Sequence, residues 1–217
     1  GRESGVLYPP VETTYFADGR LKTEGERTQE PFRLQSSVSA PYVTASRFVP
    51  YKRIPLIVEA FRQLPDRQLV VIGDGPEWDK AQAVAGPNVR FLGHLPRAEL
   101  RDWLQRAAGF VFAAEEDFGI APVEALAAGT PVVAYGKGGA LETVGPGAGV
   151  HFAEQTTGAI ADGVRRLEAE LAAGRVTPGE CGRAAGRFSV ERFREGVRAA
   201  VSRLAERRLT EQGRGGR

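Results

Sequence analysis

Residues 114–133 read AEEDFGIAPVEALAAGTPVV, and an apolar run lies on either side of this stretch. Pro122 suits the first position of a helix, which needs no N–H group, and Gly129 suits the left-handed residue that commonly follows a helix. The stretch therefore predicts a strand ending in three acidic residues, then a short helix with Glu124 in its first turn, then a second strand.

The start of this predicted helix is a candidate anion site. Backbone N–H groups of Gly119, Ile120 and Ala121 lack partners within the helix and lie at the positive end of its dipole. Glycine at 119 would let a phosphate approach closely. Glu116 and Glu124 are eight residues apart and can flank one ligand as acceptors for its hydroxyl groups. Taken singly, Glu124 can equally be a helix-stabilising glutamate.

The rest of the chain alternates short apolar runs with amphipathic stretches, which predicts a doubly wound parallel α/β sheet, Rossmann-like, with helices on both faces. The six predicted strands are residues 42–45, 68–72, 89–92, 110–113, 132–134 and 150–152. The predicted helices include residues 56–64, 100–107, 159–172, 181–187 and 190–208. A ligand is expected beyond the carboxyl ends of the strands.

Three regions follow from this pattern. Residues 1–40 have no sustained periodicity and predict a linker with a disordered loop, residues 41–187 form the Rossmann-like domain, and residues 188–217 are a helix and a tail that frays after Leu209. Trp78 and Trp103 fall in helical patterns and are expected to pack in the core.

A second basic segment leaves the first predicted strand. Residues 45–53 read ASRFVPYKR, and the cations at Lys52 and Arg53 would oppose the dipole of the following helix unless they share an anion there. The alternative is a solvated basic turn.

Glu116 and Glu124 reproduce the Glu-x7-Glu motif of the retaining glycosyltransferases with the GT-B fold, a family that includes sucrose synthases, glycogen synthases and bacterial mannosyltransferases. The resemblance implies that Glu116 is the catalytic-site residue that contacts the donor sugar and that Glu124 holds the nucleotide ribose. It also implies that the backbone of Phe118, Gly119, Ile120 and Ala121 meets the diphosphate.

The basic segment is similar to the family's Gly-Arg-x4-Lys element, so Arg47 and Lys52 match its phosphate-binding pair, with Ser46 in place of the glycine. Residues 73–77 and 93–96 resemble turns that line the base pocket, which implies donor contacts at Gly75, His94 and Leu95. A catalytic His94 is the less common case for a loop histidine. The turn at residues 136–144 resembles the Gly-Gly-x-x-Glu element of GDP-mannose-dependent enzymes.

The resemblance implies a C-terminal donor-binding domain for retaining transfer of a sugar from a nucleotide diphosphate to an acceptor hydroxyl, in surface polysaccharide or glycan synthesis. GDP-mannose is the favoured donor. The expected partners are that nucleotide sugar, an N-terminal acceptor domain of about 170 residues missing from this chain, and a glycan or lipid-linked acceptor. Without that domain the fragment is expected to be inactive. No Asp-x-Asp motif follows a predicted strand, so neither a metal nor another cofactor is expected.

Composition and motifs narrow the possible partners, location and function of the protein. The 29 basic and 27 acidic residues form no basic block, so nucleic acid is not an expected partner, and a single cysteine fits a cytoplasmic protein. A cytoplasmic location is also compatible with peripheral attachment of the protein to the inner membrane face through the missing domain. No Gly-x-Gly-x-x-Gly follows a strand, which disfavours a nicotinamide oxidoreductase. A non-enzymatic nucleotide-sugar-binding module and a sugar-nucleotide epimerase of similar fold stay open.

Overall fold

The computed structural model describes residues 6–18 and 40–214. Its centre is a six-stranded, all-parallel sheet in the order β3-β2-β1-β4-β5-β6. The strands are β1 Tyr42–Ala45, β2 Leu69–Ile72, β3 Val89–Gly93, β4 Gly109–Phe112, β5 Val132–Tyr135 and β6 Gly149–Phe152. The order runs outward in both directions from β1 and β4, so the predicted doubly wound α/β sheet is confirmed.

Nine helices belong to the described residues. They are α1 Thr13–Ala17, α2 Ile54–Ala60, α3 Trp78–Ala83, α4 Arg97–Arg106, α5 Ile120–Ala127, α6 Ala140–Thr143, α7 Thr157–Ala172, α8 Pro178–Gly186 and α9 Val190–Arg214. Short 3-10 turns at Pro50–Lys52 and Phe61–Gln63 precede and follow α2.

Strands β2, β4 and β5 are apolar at every position because both faces of the sheet are covered there. Every residue of β2, β4 and β5 is buried. Adjacent residues point to opposite faces, so Phe110 belongs to one core cluster and Val111 to the other. The continuous apolar runs in the sequence are the expected signature of such strands.

The predicted elements exist, but several helix limits were wrong. α4 begins at Arg97 rather than at residue 100, and α9 continues to Arg214, beyond Leu209 where fraying was predicted. The helix predicted at 56–64 begins at Ile54 and ends in a 3-10 turn. Apolar periodicity marks only the turns that face the core, so it misses the solvated polar turns at helix ends.

Residues 6–18 pack against the sheet domain, whereas the other residues of the predicted linker, 1–5 and 19–39, lie outside the described part of the chain. The N–H of Val11 donates to the carbonyl of Phe188 at 2.8 Å, and Val11 forms an isolated bridge with Ser189. Phe16 in α1 is fully buried. This segment is therefore an integral part of the fold.

Two further features concern the helices. Among the described helices, none has the length and apolar character that crossing a bilayer requires. The single cysteine, Cys181, is fully buried in α8.

Candidate functional site

The site lies where β1 and β4 are neighbours and the chain winds away from them in opposite directions. Open parallel sheets bind ligands at such switch points, outside the carboxyl ends of the strands. A crevice of about 730 Å³ opens there. It is lined by Pro9, Ala45, Ser46, Arg47, Tyr51, Lys52, Glu115, Glu116, Asp117, Phe118, Gly119, Ile120, Ala121 and Glu124.

The structure brings most of the sequence-predicted site residues to this crevice. Gly75, His94 and Leu95 are the exceptions, since they do not line it. Gly75 has a φ of 145°, and a Cβ there would lie 2.7 Å from the backbone N of Phe48. Its lack of a side chain therefore lets the β2–α3 turn support the segment between Arg47 and Lys52.

Helix α5 begins earlier than the sequence indicated. Gly119 caps it with a φ of 83°, so Pro122 is the third helical residue rather than the first, and Glu124 is the fifth rather than a first-turn residue. Proline is still tolerated there, because N–H groups of the first turn have no partner within the helix. The first residues of α5, Ile120 and Ala121, line the crevice beside Gly119, as expected for an anion site.

Lys52 forms an ion pair with Glu116 across the crevice. The two side chains are only 18% and 17% exposed, and the Lys52 Nζ lies 5.9 Å from the ring centroid of Phe112. Arg47, also in the lining, is exposed. A fully solvated basic turn therefore does not describe Lys52, which is held on the first glutamate of the motif.

A turn of glycines supports the acidic residues from behind. The N–H of Gly139 donates to the Glu116 carbonyl at 2.7 Å. A Cβ at Gly139 would lie 2.4 Å from the Phe118 Cα, and one at Gly138 would lie 2.3 Å from the Glu116 carbonyl oxygen. We call residues 115–119 the acidic loop and residues 136–139 the glycine turn. The two are in direct backbone contact, so any side chain at these glycines would displace the acidic loop.

Glu124 has an unusual protonation equilibrium. Burial raises the pKa of its carboxyl to about 7, with Glu12 adding a smaller upward effect and Arg97 opposing both. Arg97 itself is ion-paired with Glu12. Near neutral pH, Glu124 can thus either accept a hydrogen bond from a ligand hydroxyl or donate one to it.

Six residues of the lining were not among the predicted site residues: Pro9, Ala45, Ser46, Tyr51, Glu115 and Asp117. Tyr51 was adjacent to the predicted Lys52 and is 57% exposed, so its position in the motif was an available signal. Pro9 had no such signal, because it reaches the crevice through contacts distant in sequence. Within residues 6–18 and 40–214, no group of three or more His, Cys, Asp or Glu side chains is arranged to hold a metal ion.

Comparison with known proteins agrees with the resemblance to glycosyltransferases that the sequence motifs indicated. Residues 28–175 match the family described as "Glycosyl transferases group 1". A GDP-mannose-dependent phosphatidylinositol monomannoside mannosyltransferase of Mycolicibacterium smegmatis is 32% identical over 179 residues, 72% of this chain and 42% of that protein. The 2-deoxystreptamine glucosyltransferase of Streptomyces kanamyceticus is 35% identical over 137 residues, 54% of this chain and 35% of that protein. The chain thus spans less than half the length of these curated relatives.

Solved structures agree on the fold. The Anabaena protein Alr3699/HepE, in complex with UDP and glucose, superposes with a TM-score of 0.70 at 22% identity over 91% of this chain and 56% of that one. AviGT4, a glycosyltransferase of avilamycin A biosynthesis, gives a TM-score of 0.67 at 23% identity over 94% of this chain and 59% of that one. With the family match covering more than half of its residues, the chain belongs to the group 1 family of glycosyltransferases.

Proposed function

We propose that this chain binds a nucleotide-diphosphate sugar in the switch-point crevice and acts as the donor-binding part of a retaining glycosyltransferase. The carrying observation is the convergence of Arg47, Lys52, Glu116 and the start of α5 on one crevice. Relatives named for GDP-mannose support GDP-mannose as the donor. The enzyme would work in the cytoplasm with an acceptor-binding domain and a glycan or lipid-linked acceptor.

The charges of the crevice favour a sugar nucleotide over a bare anion. Its lining holds two cations, Arg47 and Lys52, and four carboxylates, those of Glu115, Glu116, Asp117 and Glu124. Inorganic phosphate would meet net repulsion, whereas a ligand with both phosphates and hydroxyl groups gives the carboxylates donors to accept from. We therefore expect the full donor to bind more tightly than pyrophosphate.

Donor binding must rearrange the ion pair between Lys52 and Glu116. The Lys52 ammonium group, which is paired with Glu116, becomes a phosphate ligand. The released carboxylate then accepts hydrogen bonds from the sugar hydroxyls. The positive end of α5 offsets the remaining phosphate charge. With these groups present, we propose that donor binding needs no metal ion.

Calorimetric titration of the chain with GDP, UDP, GDP-mannose and UDP-glucose, with and without EDTA, tests the proposal. We expect saturable binding of one nucleotide series that EDTA leaves unchanged and that Lys52→Ala weakens. Lys80→Ala is the matched control, because Lys80 is a 71%-exposed lysine paired with Glu77 away from the crevice lining. Binding to none of the four, or binding strictly dependent on Mg²⁺, would contradict it.

The role of Glu116 has its own signature. Glu116→Ala is expected to leave binding of the nucleoside diphosphate nearly unchanged while removing the extra affinity for the full donor. Glu154→Ala, an exposed glutamate that follows β6, is the control. Equal losses for the nucleoside diphosphate and for the donor would contradict this role.

A further inference from the structure

Tyr8 touches three segments that are far apart in sequence. Its ring lies 6.0 Å from that of Phe118 in the acidic loop and 5.2 Å, edge to face, from that of Phe188 after α8. Phe118 and Phe188 are in turn 5.1 Å apart. The half-buried Phe118 ring thus contacts two aromatic neighbours, and such pairs favour defined edge and offset geometries.

The hydroxyl group of Tyr8 contacts α6, the helix that follows the glycine turn behind the acidic loop. It donates a hydrogen bond to the carboxylate of Glu142 in α6. Helix α6 directly follows the glycine turn, whose Gly139 N–H holds the Glu116 carbonyl at 2.7 Å. Ring and hydroxyl therefore contact the acidic loop itself and the helix that continues from its supporting turn.

The segment that carries Tyr8 is fixed at the same edge of the domain. Pro9, the next residue, lines the crevice, and the hydrogen bond from Val11 to the Phe188 carbonyl ties the backbone down three residues later. Because the Tyr8 ring contacts the Phe118 ring, a displacement of this segment would also displace Phe118.

We propose that Tyr8 is a positioning residue of the donor site, which clamps the acidic loop between Phe188 and α6 and thereby sets where the Glu116 carboxylate meets the donor sugar. Its consequence for donor binding rests on the function proposed above, whereas its effect on the loop does not. A general packing role for Tyr8 would lower the stability of the whole domain without a local effect on residues 115–119.

Hydrogen exchange of the ligand-free chain separates these two roles. Tyr8→Ala is expected to increase exchange of the Gly139 amide, which donates to the Glu116 carbonyl of the acidic loop. The increase should be roughly three- to tenfold, since the variant removes aromatic contacts of modest strength, while amides of β2 and β5 keep their rates. Tyr8→Phe keeps the ring and loses only the bond to Glu142, so an intermediate increase is expected. Tyr15→Phe, on the same segment, is the matched control and should leave exchange of the Gly139 amide unchanged.

Donor binding supplies the second readout. Tyr8→Ala should weaken binding of the full donor more than binding of the nucleoside diphosphate, and Tyr8→Phe should restore most of the difference. Unchanged exchange of the Gly139 amide in Tyr8→Ala, or a uniform increase across the sheet, would overturn the clamp. If the unsubstituted chain binds no donor, the function proposed above fails, and the exchange data still decide whether Tyr8 holds the loop.

Discussion

Glu124 makes the stability of the folded chain depend on pH. Its pKa of about 7 exceeds the unfolded value of 4.5, so between these two pH values the folded chain keeps a proton that the unfolded chain has released. Stability therefore falls as the pH rises through this window and is constant above it. The ionised carboxylate is the stronger acceptor of hydrogen bonds, so above this window Glu124 gains acceptor strength at a cost in stability.

The corresponding prediction compares the parent chain with Glu124→Gln. Relative to the parent, the variant should gain on the order of 2 kcal/mol between pH 4.5 and 8, because an amide has no charge to bury. Urea unfolding at pH 4.5, 6 and 8 measures this difference. Glu115→Gln, an exposed neighbour, should show no such trend. Parallel pH profiles for the parent and Glu124→Gln would disprove the assignment.

At the scale of elements, the acidic loop depends on the glycine turn. We expect Gly139→Ala to destabilise the chain by about 2 kcal/mol or more and to impair nucleotide-sugar binding, because the added Cβ meets Phe118 and Asp117 backbone atoms at 2.4–2.5 Å. Gly145→Ala is the control, since a Cβ there has no neighbour within 4 Å. Denaturant unfolding and titration with the donor would be compared for both. Equal stability of the two variants would count against this contact.

Helix α7 offers a test of local structure apart from the site. The Thr156 hydroxyl accepts from the N–H of Ala159 at 3.2 Å and so caps the helix. Thr156→Ala should cost about 1 kcal/mol of unfolding free energy, while Thr156→Ser keeps the acceptor and most of the stability. Chemical denaturation distinguishes them, and an equal loss in both variants would show that the threonine methyl group matters instead.

How far the sequence predicts these elements depends on what determines each one. Strands β2, β4 and β5, which are buried on both faces, need apolar side chains at every position. Shorter apolar runs marked the other three, and all six strands were predicted within one residue at each end. The site residues between Glu115 and Glu124 could also be predicted, because they are close together in the sequence. The limits of α5 were not, since the left-handed Gly119 permits a start two residues before Pro122. The partners of Tyr8, up to 180 residues away, leave no local pattern.

For the whole molecule, ligand binding and unfolding are linked. A donor that binds only the folded chain adds about 2.7 kcal/mol at one hundred times its Kd. In a domain of this size that should raise the Tm by roughly 5–10 °C. Differential scanning calorimetry with the preferred nucleotide sugar and EDTA measures the shift. Lys52→Ala should reduce it at the same ligand concentration, and Lys80→Ala should not. An equal shift in Lys52→Ala would place the donor elsewhere.

The burial of Cys181 has a practical consequence for following these events. As the chain's single cysteine, fully enclosed in α8, it presents no thiol to a polar alkylating reagent while the domain is folded. A cysteine substituted for Ile120, which is 51% exposed at the crevice, would then be the sole target of a maleimide fluorophore. The protein is thus ready for site-specific labelling without first removing a native thiol, and such a dye would report occupancy of the crevice in real time.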